Sequence, residues 1–237
     1  MNVRIQGGVT SIRGGVADFD TKDVSAAAEW LLPRRLRPYR AVFKRLMDVL
    51  FVLAALPIVL PTVLLLAVMI WFTGSSPFYM QKRLGRHGRV FRMWKLRTMV
   101  ENADAKLEEY LAGNAAARRE WDAYQKLTDD PRITPLGAFL RKSSLDELPQ
   151  LWNVLKGDMS LVGPRPMMPE QKGAYPGHAY FDMRPGVTGT WQISDRNAST
   201  FAERAAFDDD YDRKLSLLTD LKVLLATVGV VVCCTGR

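Results

Sequence analysis

The feature that most limits what this chain can fold into is an uncharged run from Val49 to Phe72, VLFVLAALPIVLPTVLLLAVMIWF, with Pro57 and Pro61 near its middle. At ~1.5 Å per residue a helix of this length covers a hydrocarbon layer of ~30 Å, so the run belongs at a membrane. A buried helix of a soluble protein is the competing reading, and the run is long for it. Both flanks are basic: Arg34, Arg35, Arg37, Arg40, Lys44 and Arg45 precede it, and Lys82, Arg83, Arg86, Arg89, Arg92, Lys95 and Arg97 follow. Positive flanks stay on the cytoplasmic side, so two of them favour a helix that enters and leaves through one face. Each proline removes a ladder hydrogen bond and favours a bend there. Prolines are also tolerated in true spans, which leaves a crossing helix as the alternative. Lys44 and Arg45 can reach anionic headgroups.

The chain has 237 residues, enough for one catalytic domain with an appendage. Residues 1–33 are polar and Gly-rich, lack the basic-then-apolar pattern of a secretory signal, and read as a flexible N-terminal tail. Residues 34–76 form the re-entrant membrane anchor, and 77–237 a cytoplasmic catalytic domain ending in an interfacial helix. The fold class expected is α+β, mainly helical, with a short β-hairpin and amphipathic helices on the bilayer surface. With 33 Lys and Arg against 25 Asp and Glu, the net charge of +8 asks for an anionic partner. Nucleic acid fits poorly, because the aromatic residues form no stacking platform and a membrane anchor would serve no purpose. Cys233 and Cys234 are adjacent, a spacing for neither a disulfide framework nor a zinc site; they read as small apolar residues, with lipidation the alternative.

After the apolar run, PFYMQKRLGRHGRVFRMWKLRTM reads as two strands about a Gly-rich turn. In an extended strand Lys95 and Arg97 share a face, placing two cations side by side; a solvated basic edge is the bland reading. His87 falls in the turn and His178 in a Gly/Pro loop, exposed positions rather than ligands. Residues 101–126 predict one or two surface helices broken near Gly113, and DDPRITPLGAFLRKS a turn followed by a short helix ending in Arg141 and Lys142.

The stretch SSLDELPQ carries adjacent carboxylates, Asp146 and Glu147, before Pro149. Ser144 with Glu147 matches a capping box, and Pro149 belongs in a first helical turn, which makes Asp146 or Glu147 the expected N-cap. The same pair offers the hard oxygens that Mg²⁺ prefers. GPRP fixes Arg165 between prolines, where its planar fork suits phosphate. RPGVTGTWQISDRN is a Gly/Pro-punctuated loop with Arg184, Gln192 and Arg196. FDDDYD reads as a solvated helix start, with a second metal site as the sharper alternative. The apolar tail from Leu215 to Val232, interrupted by Asp220 and Lys222, suits a helix lying on the bilayer.

Taken in order, KRLMD (44–48), the proline-broken apolar helix, KLRTM (95–99), DPRIT (130–134), LRKSSLDELPQLWNVLKGDMSLVGPRP (140–166) and RPGVTGTWQ (184–192) resemble the bacterial sugar transferases that start exopolysaccharide and O-antigen chains, the monotopic polyprenyl-phosphate phosphoglycosyl transferases. The resemblance covers roughly residues 40–230, in the short form without a multispanning N-terminal domain. It implies transfer of a sugar 1-phosphate from a UDP-sugar to undecaprenyl phosphate at the cytoplasmic face of the bacterial inner membrane, with release of UMP and a requirement for Mg²⁺. It implies Asp146 as nucleophile, carrying a phosphosugar, with Glu147 sharing the metal or handling a proton. It further implies that Arg141 and Arg165 neutralise phosphate oxygens, that Lys95 and Arg97 lie near nucleotide or phosphate, that Gln192 and Arg196 lie near the site, and that Asp208 fills an acidic position beside Tyr211. Three positions depart from the pattern: Ser-Pro in the membrane helix is Leu60-Pro61, so the hydroxyl that would stabilise the break is missing; KFRTM is KLRTM; and Asp195 replaces glycine before Arg196. A non-enzymatic, membrane-anchored adaptor of a polysaccharide assembly complex is the rival function. The sequence names neither the sugar nor the oligomeric state.

Overall fold

The computed structural model describes residues 38–124, 127–194 and 200–232. The N-terminal tail, Arg196 and the two cysteines lie outside them. A π-helical turn, Tyr39–Phe43, leads into helix α1, Lys44–Trp71. Among the described residues this is the one helix long and apolar enough to cross a membrane.

Helix α1 stays helical through both prolines. The Thr62 hydroxyl donates to the Ile58 carbonyl at 2.8 Å, so a hydroxyl does support this segment, one residue after Pro61. The middle of α1, with Ile58 and Leu60, is exposed, while Val52 and the group Leu66, Ala67 and Ile70 are buried. Val52 packs with Met93, Val154 and Met159; the later group packs with Leu96 and Leu140. Met93 and Leu96 are three residues apart on one strand, about 10 Å. A straight helix between Val52 and Ile70 would cover about 27 Å.

The hairpin forms as expected: β1, Phe78–Leu84, pairs antiparallel with β2, Val90–Leu96, about a turn in which exposed His87 takes φ 60°. Helices α2, Ala103–Gly113, and α3, Ala115–Tyr124, break at Asn114, whose side chain accepts from the backbone N–H groups of Ala116 and Ala117. Helix α4, Pro135–Lys142, opens with a Thr134 hydroxyl cap and crosses the Thr98 backbone so closely that a Cβ on Gly137 would lie 2.0 Å from the Thr98 oxygen. Helix α5, Gln150–Lys156, is fixed to β2 by buried Asn153, which accepts from Trp94 N at 3.0 Å and donates to Arg92 O at 2.8 Å.

Two short parallel strands follow, β3, Ser160–Val162, and β4, Gly186–Thr188. The GVT segment, read from its Gly and Pro as loop, is thus a strand; Gly186 is needed because a Cβ there would meet the Gly163 nitrogen at 2.2 Å. Short helices α6, Ala179–Asp182, and α7, Thr190–Ile193, lead to α8, Arg204–Lys214, and α9, Leu217–Val232. The architecture is mainly helical with two small sheets among the described residues.

One end of α1 sits in a polar socket. Lys44 Nζ lies 2.6 Å from Asp220 Oδ2, and the Tyr39 and Tyr211 hydroxyls donate to the same carboxylate at 2.7 and 2.6 Å. Arg40 pairs with buried Asp212, Arg45 donates to the Val154 and Leu155 carbonyls that end α5, and Asp48 accepts from Leu161 N. Asp220 is therefore not a surface interruption of an apolar tail. It is 2 % exposed and ties α9 to α1, while α9 exposes Leu217, Leu218, Leu225 and Val228.

Candidate active site

A cavity of about 740 Å³ opens between the hairpin, α4, the turn after it and the β4–α7 segment. Of the residues singled out in the sequence, Lys95, Arg97, Arg141, Asp146, Glu147, Arg165 and Gln192 all line it. They come from positions up to 97 residues apart, so their convergence is a property of the fold.

The acidic pair is placed by a sharp change of direction. Helix α4 ends as the Ser143 hydroxyl turns back to the Phe139 and Leu140 carbonyls, and Ser144 takes a left-handed conformation, φ 57°. Leu145–Glu147 then form one 3₁₀ turn before α5, whose N-cap is Pro149. The expected capping role of Asp146 or Glu147 is therefore corrected. Both acids belong to the 3₁₀ turn that precedes the cap, so neither stands at the start of α5. Leu145 packs into the cluster formed by Leu66, Ala67 and Ile70 of α1, which sets the acidic pair beside the apolar helix.

Lys95 bridges the pair, with Nζ 2.7 Å from Glu147 Oε1 and 3.8 Å from Asp146 Oδ2. Asp146 is buried, and this desolvation pushes its carboxyl above the usual range, with the Glu147 charge pushing further; Lys95 and Arg141 pull it back toward ionisation. Arg141 is itself held down by burial, and its Nε donates to Thr98 Oγ1 at 2.9 Å, the contact that the close α4 crossing permits. Arg97 Nε donates to Ser76 O at 2.8 Å, with its guanidinium over the Tyr79 ring. Arg132, not singled out from the sequence, also lines the cavity; it is bonded to Asp130 at 2.8 and 2.6 Å and lies over Trp121. The intact DPRIT block was its only sequence signal.

Asp208 does not line the cavity. It is buried, accepts from the Tyr175 hydroxyl at 2.7 Å, and is pushed up to about 7 by burial. Two other acids of FDDDYD diverge, Asp210 toward Lys214 and Asp212 toward Arg40. Among the described residues no three His, Cys, Asp or Glu gather as a metal site, so the second metal centre finds no support there. Asp146 and Glu147 remain a fitting pair for Mg²⁺, which takes one or two carboxylates and completes its shell with water and phosphate oxygens.

A family model for bacterial sugar transferase matches residues 39–234. The chain belongs to the bacterial sugar transferase family. It is 43% identical over 219 residues to the exopolysaccharide production protein ExoY of Sinorhizobium fredii, a match spanning 90% of this chain and 96% of that protein. It is 46% identical over 190 residues to a UDP-galactose-lipid carrier transferase of Erwinia amylovora, and 43% identical over 190 residues to an undecaprenyl-phosphate galactose phosphotransferase of Salmonella typhimurium. Each of these matches covers 79% of this chain but 40% of the relative, so the sugar transferase spans less than half of those two proteins. Its cavity, with an acidic pair ringed by cations next to an apolar helix, is the candidate active site of this family member.

Proposed function

We propose that this sugar transferase moves a sugar 1-phosphate from a UDP-sugar to undecaprenyl phosphate on the cytoplasmic membrane face, as a first step of exopolysaccharide synthesis. The observation that carries the reading is the position of buried Asp146, bridged to Glu147 by Lys95 and packed through Leu145 against α1. The names of the relatives support the substrate class and make UDP-galactose the first donor to assay.

Two anions must meet in this reaction, so cations have to offset their repulsion. Lys95, Arg141 and Arg165 line the cavity where the donor phosphates would lie. An Asp146 carboxylate oxygen attacks the phosphorus joined to the sugar; the bond to the UMP oxygen breaks, and UMP leaves. The acceptor's phosphate oxygen then attacks the same phosphorus and displaces Asp146, restoring the carboxylate. Lys95 pulls the Asp146 carboxyl back toward the ionised form, which a nucleophile requires, against the upward push of its burial. Asp146 and Glu147 would hold Mg²⁺, which supplies charge neutralisation at the donor phosphates.

The acceptor stays in the bilayer, so the acidic pair has to sit at the headgroup plane. In this reading α1 enters and leaves through the same face. Both of its ends pack against one domain, on residues of one strand, while its apolar middle is bare. Asp146→Asn, in membranes supplied with undecaprenyl phosphate and UDP-galactose, is expected to abolish lipid-linked sugar while leaving the protein folded. Full activity of that variant with a UDP-sugar that the wild type uses would overturn the transfer mechanism, whereas a wild type that used no UDP-sugar would favour the adaptor.

A further inference from the structure

Beyond the residues assigned above, the cavity has a cationic corner. Arg165 and Gln192 line the cavity, and two further guanidiniums gather at Arg165: Arg83 from β1 and Arg204 from the start of α8. Arg204 lies 4.1 Å from the centroid of the Trp191 ring and 4.9 Å from that of Phe201, and Arg165 lies 5.7 Å from the same Trp191 ring. Arg83 donates to Pro166 O at 3.0 Å and to Gln81 Oε1 at 2.6 Å, and Gln81 lines the cavity. Yet Arg83 Nε, Arg204 Nε and Gln192 Oε1 are all buried with no hydrogen-bond partner.

Such an arrangement is unfavourable unless something is meant to complete it. Burial and the neighbouring Arg165 charge hold Arg204 down to about 10 and lower Arg83 as well. The carboxylates these arginines feel are Asp208, itself pushed up to about 7 and bonded to Tyr175, and Glu147, which Lys95 already occupies. Buried donors without partners and like charges held together both point to a missing anion, and planar guanidinium forks match phosphate.

We propose that Arg83, Arg165 and Arg204 form a phosphate-binding corner that takes the nucleotide end of the soluble donor, the phosphate that leaves with the nucleoside. The inference rests on the donor chemistry above. The location separates the nucleotide phosphate from the lipid phosphate. The apolar cluster of Leu84, Tyr175, Tyr180, Ala205 and Phe201, in which Arg83 and Arg204 are rooted, contains no residue of α1, whereas the cluster under Asp146 does.

The test is binding without turnover, on the full chain in nanodiscs, with EDTA present and UMP or inorganic pyrophosphate as probe. Arg204→Gln and Arg83→Gln are each expected to weaken both probes by about tenfold, with Arg204→Lys retaining part of the affinity. A second measurement needs no variant: pyrophosphate should protect Arg83 and Arg204 of the wild type from phenylglyoxal, read by peptide mass mapping. Unchanged probe affinity together with absent protection overturns the corner. Weakened binding confined to undecaprenyl phosphate in the nanodisc overturns its assignment to the nucleotide. Asp146→Asn should bind UMP like the wild type, so a failure of the transfer mechanism appears in turnover and a failure of the corner appears in binding.

Discussion

The socket that holds α1 and the arginine corner of the cavity use the same kinds of side chain to opposite ends. In the socket, Lys44 meets Asp220, Arg40 meets Asp212, and two tyrosine hydroxyls complete the Asp220 carboxylate. In the corner, Arg165 and Arg204 share one tryptophan ring with Arg83 close to Arg165, and buried nitrogens of Arg83 and Arg204 lack partners. The socket pairs Lys44 and Arg40 with acids of the protein itself and fixes how the apolar helix leaves the domain. The corner holds charge in reserve for an anion. Buried charge that is matched by the protein itself is structural, and buried charge that is not matched is a site.

That contrast can be broken at its strongest point by Lys95→Met. The change should lower turnover by about a hundred- to a thousandfold, because it removes a cation from the reacting phosphate and from Asp146, yet alter unfolding stability by no more than ~1 kcal/mol. Steady-state lipid-linked sugar formation and thermal unfolding, measured on the same preparation, check both halves. Asp220→Asn should do the reverse. It leaves Lys44 and two hydroxyls facing a neutral amide in a buried setting, costing about 3 kcal/mol of stability, with the specific activity of the remaining folded protein preserved. Chemical denaturation in detergent reads the loss. A variant that unfolded no more easily than the wild type would remove the socket from the structural side of the comparison.

A smaller effect separates Asp208, which borders the corner. Its folded carboxyl holds a proton up to about 7, whereas an unfolded aspartate releases it near ~3.9. Between those values the folded state binds more protons, so its contribution to stability is full below the unfolded value and is lost as pH rises through about 7. Asp208→Asn should therefore flatten the fall in melting temperature between acidic and neutral pH. An unchanged pH slope would show that Asp208 is ionised throughout and pairs fully with Arg204.

Much of this was legible in the sequence where the signal was local. The apolar run, the hairpin about LGRHG, the helix break near Gly113 and the short helix before the acidic pair all follow from composition and periodicity within a few residues, and the resemblance to sugar transferases brought seven cavity residues together. The failures are of a different kind. Asp220 looked like a polar gap in a surface helix because its partners, Lys44, Tyr39 and Tyr211, lie nine or more residues away and on other elements. GVT looked like loop because Gly186 serves a close strand approach that no single segment reveals. The N-cap expected at Asp146 or Glu147 falls instead on Pro149, because a 3₁₀ turn after left-handed Ser144 takes up both acids. Arg83 and Arg204 carry no local mark at all, since what distinguishes them is the company they keep around Arg165.

Transfer by two displacements requires that the carboxylate of Asp146 become covalently loaded. Rapid quenching of the full chain with a UDP-sugar labelled in the phosphate next to the sugar, without acceptor and with Mg²⁺, should place close to one label on each active chain, mapped to the peptide holding Asp146 and absent from Asp146→Asn. Unlabelled protein at every quench time, from a preparation that transfers sugar phosphate once undecaprenyl phosphate is added, would contradict it.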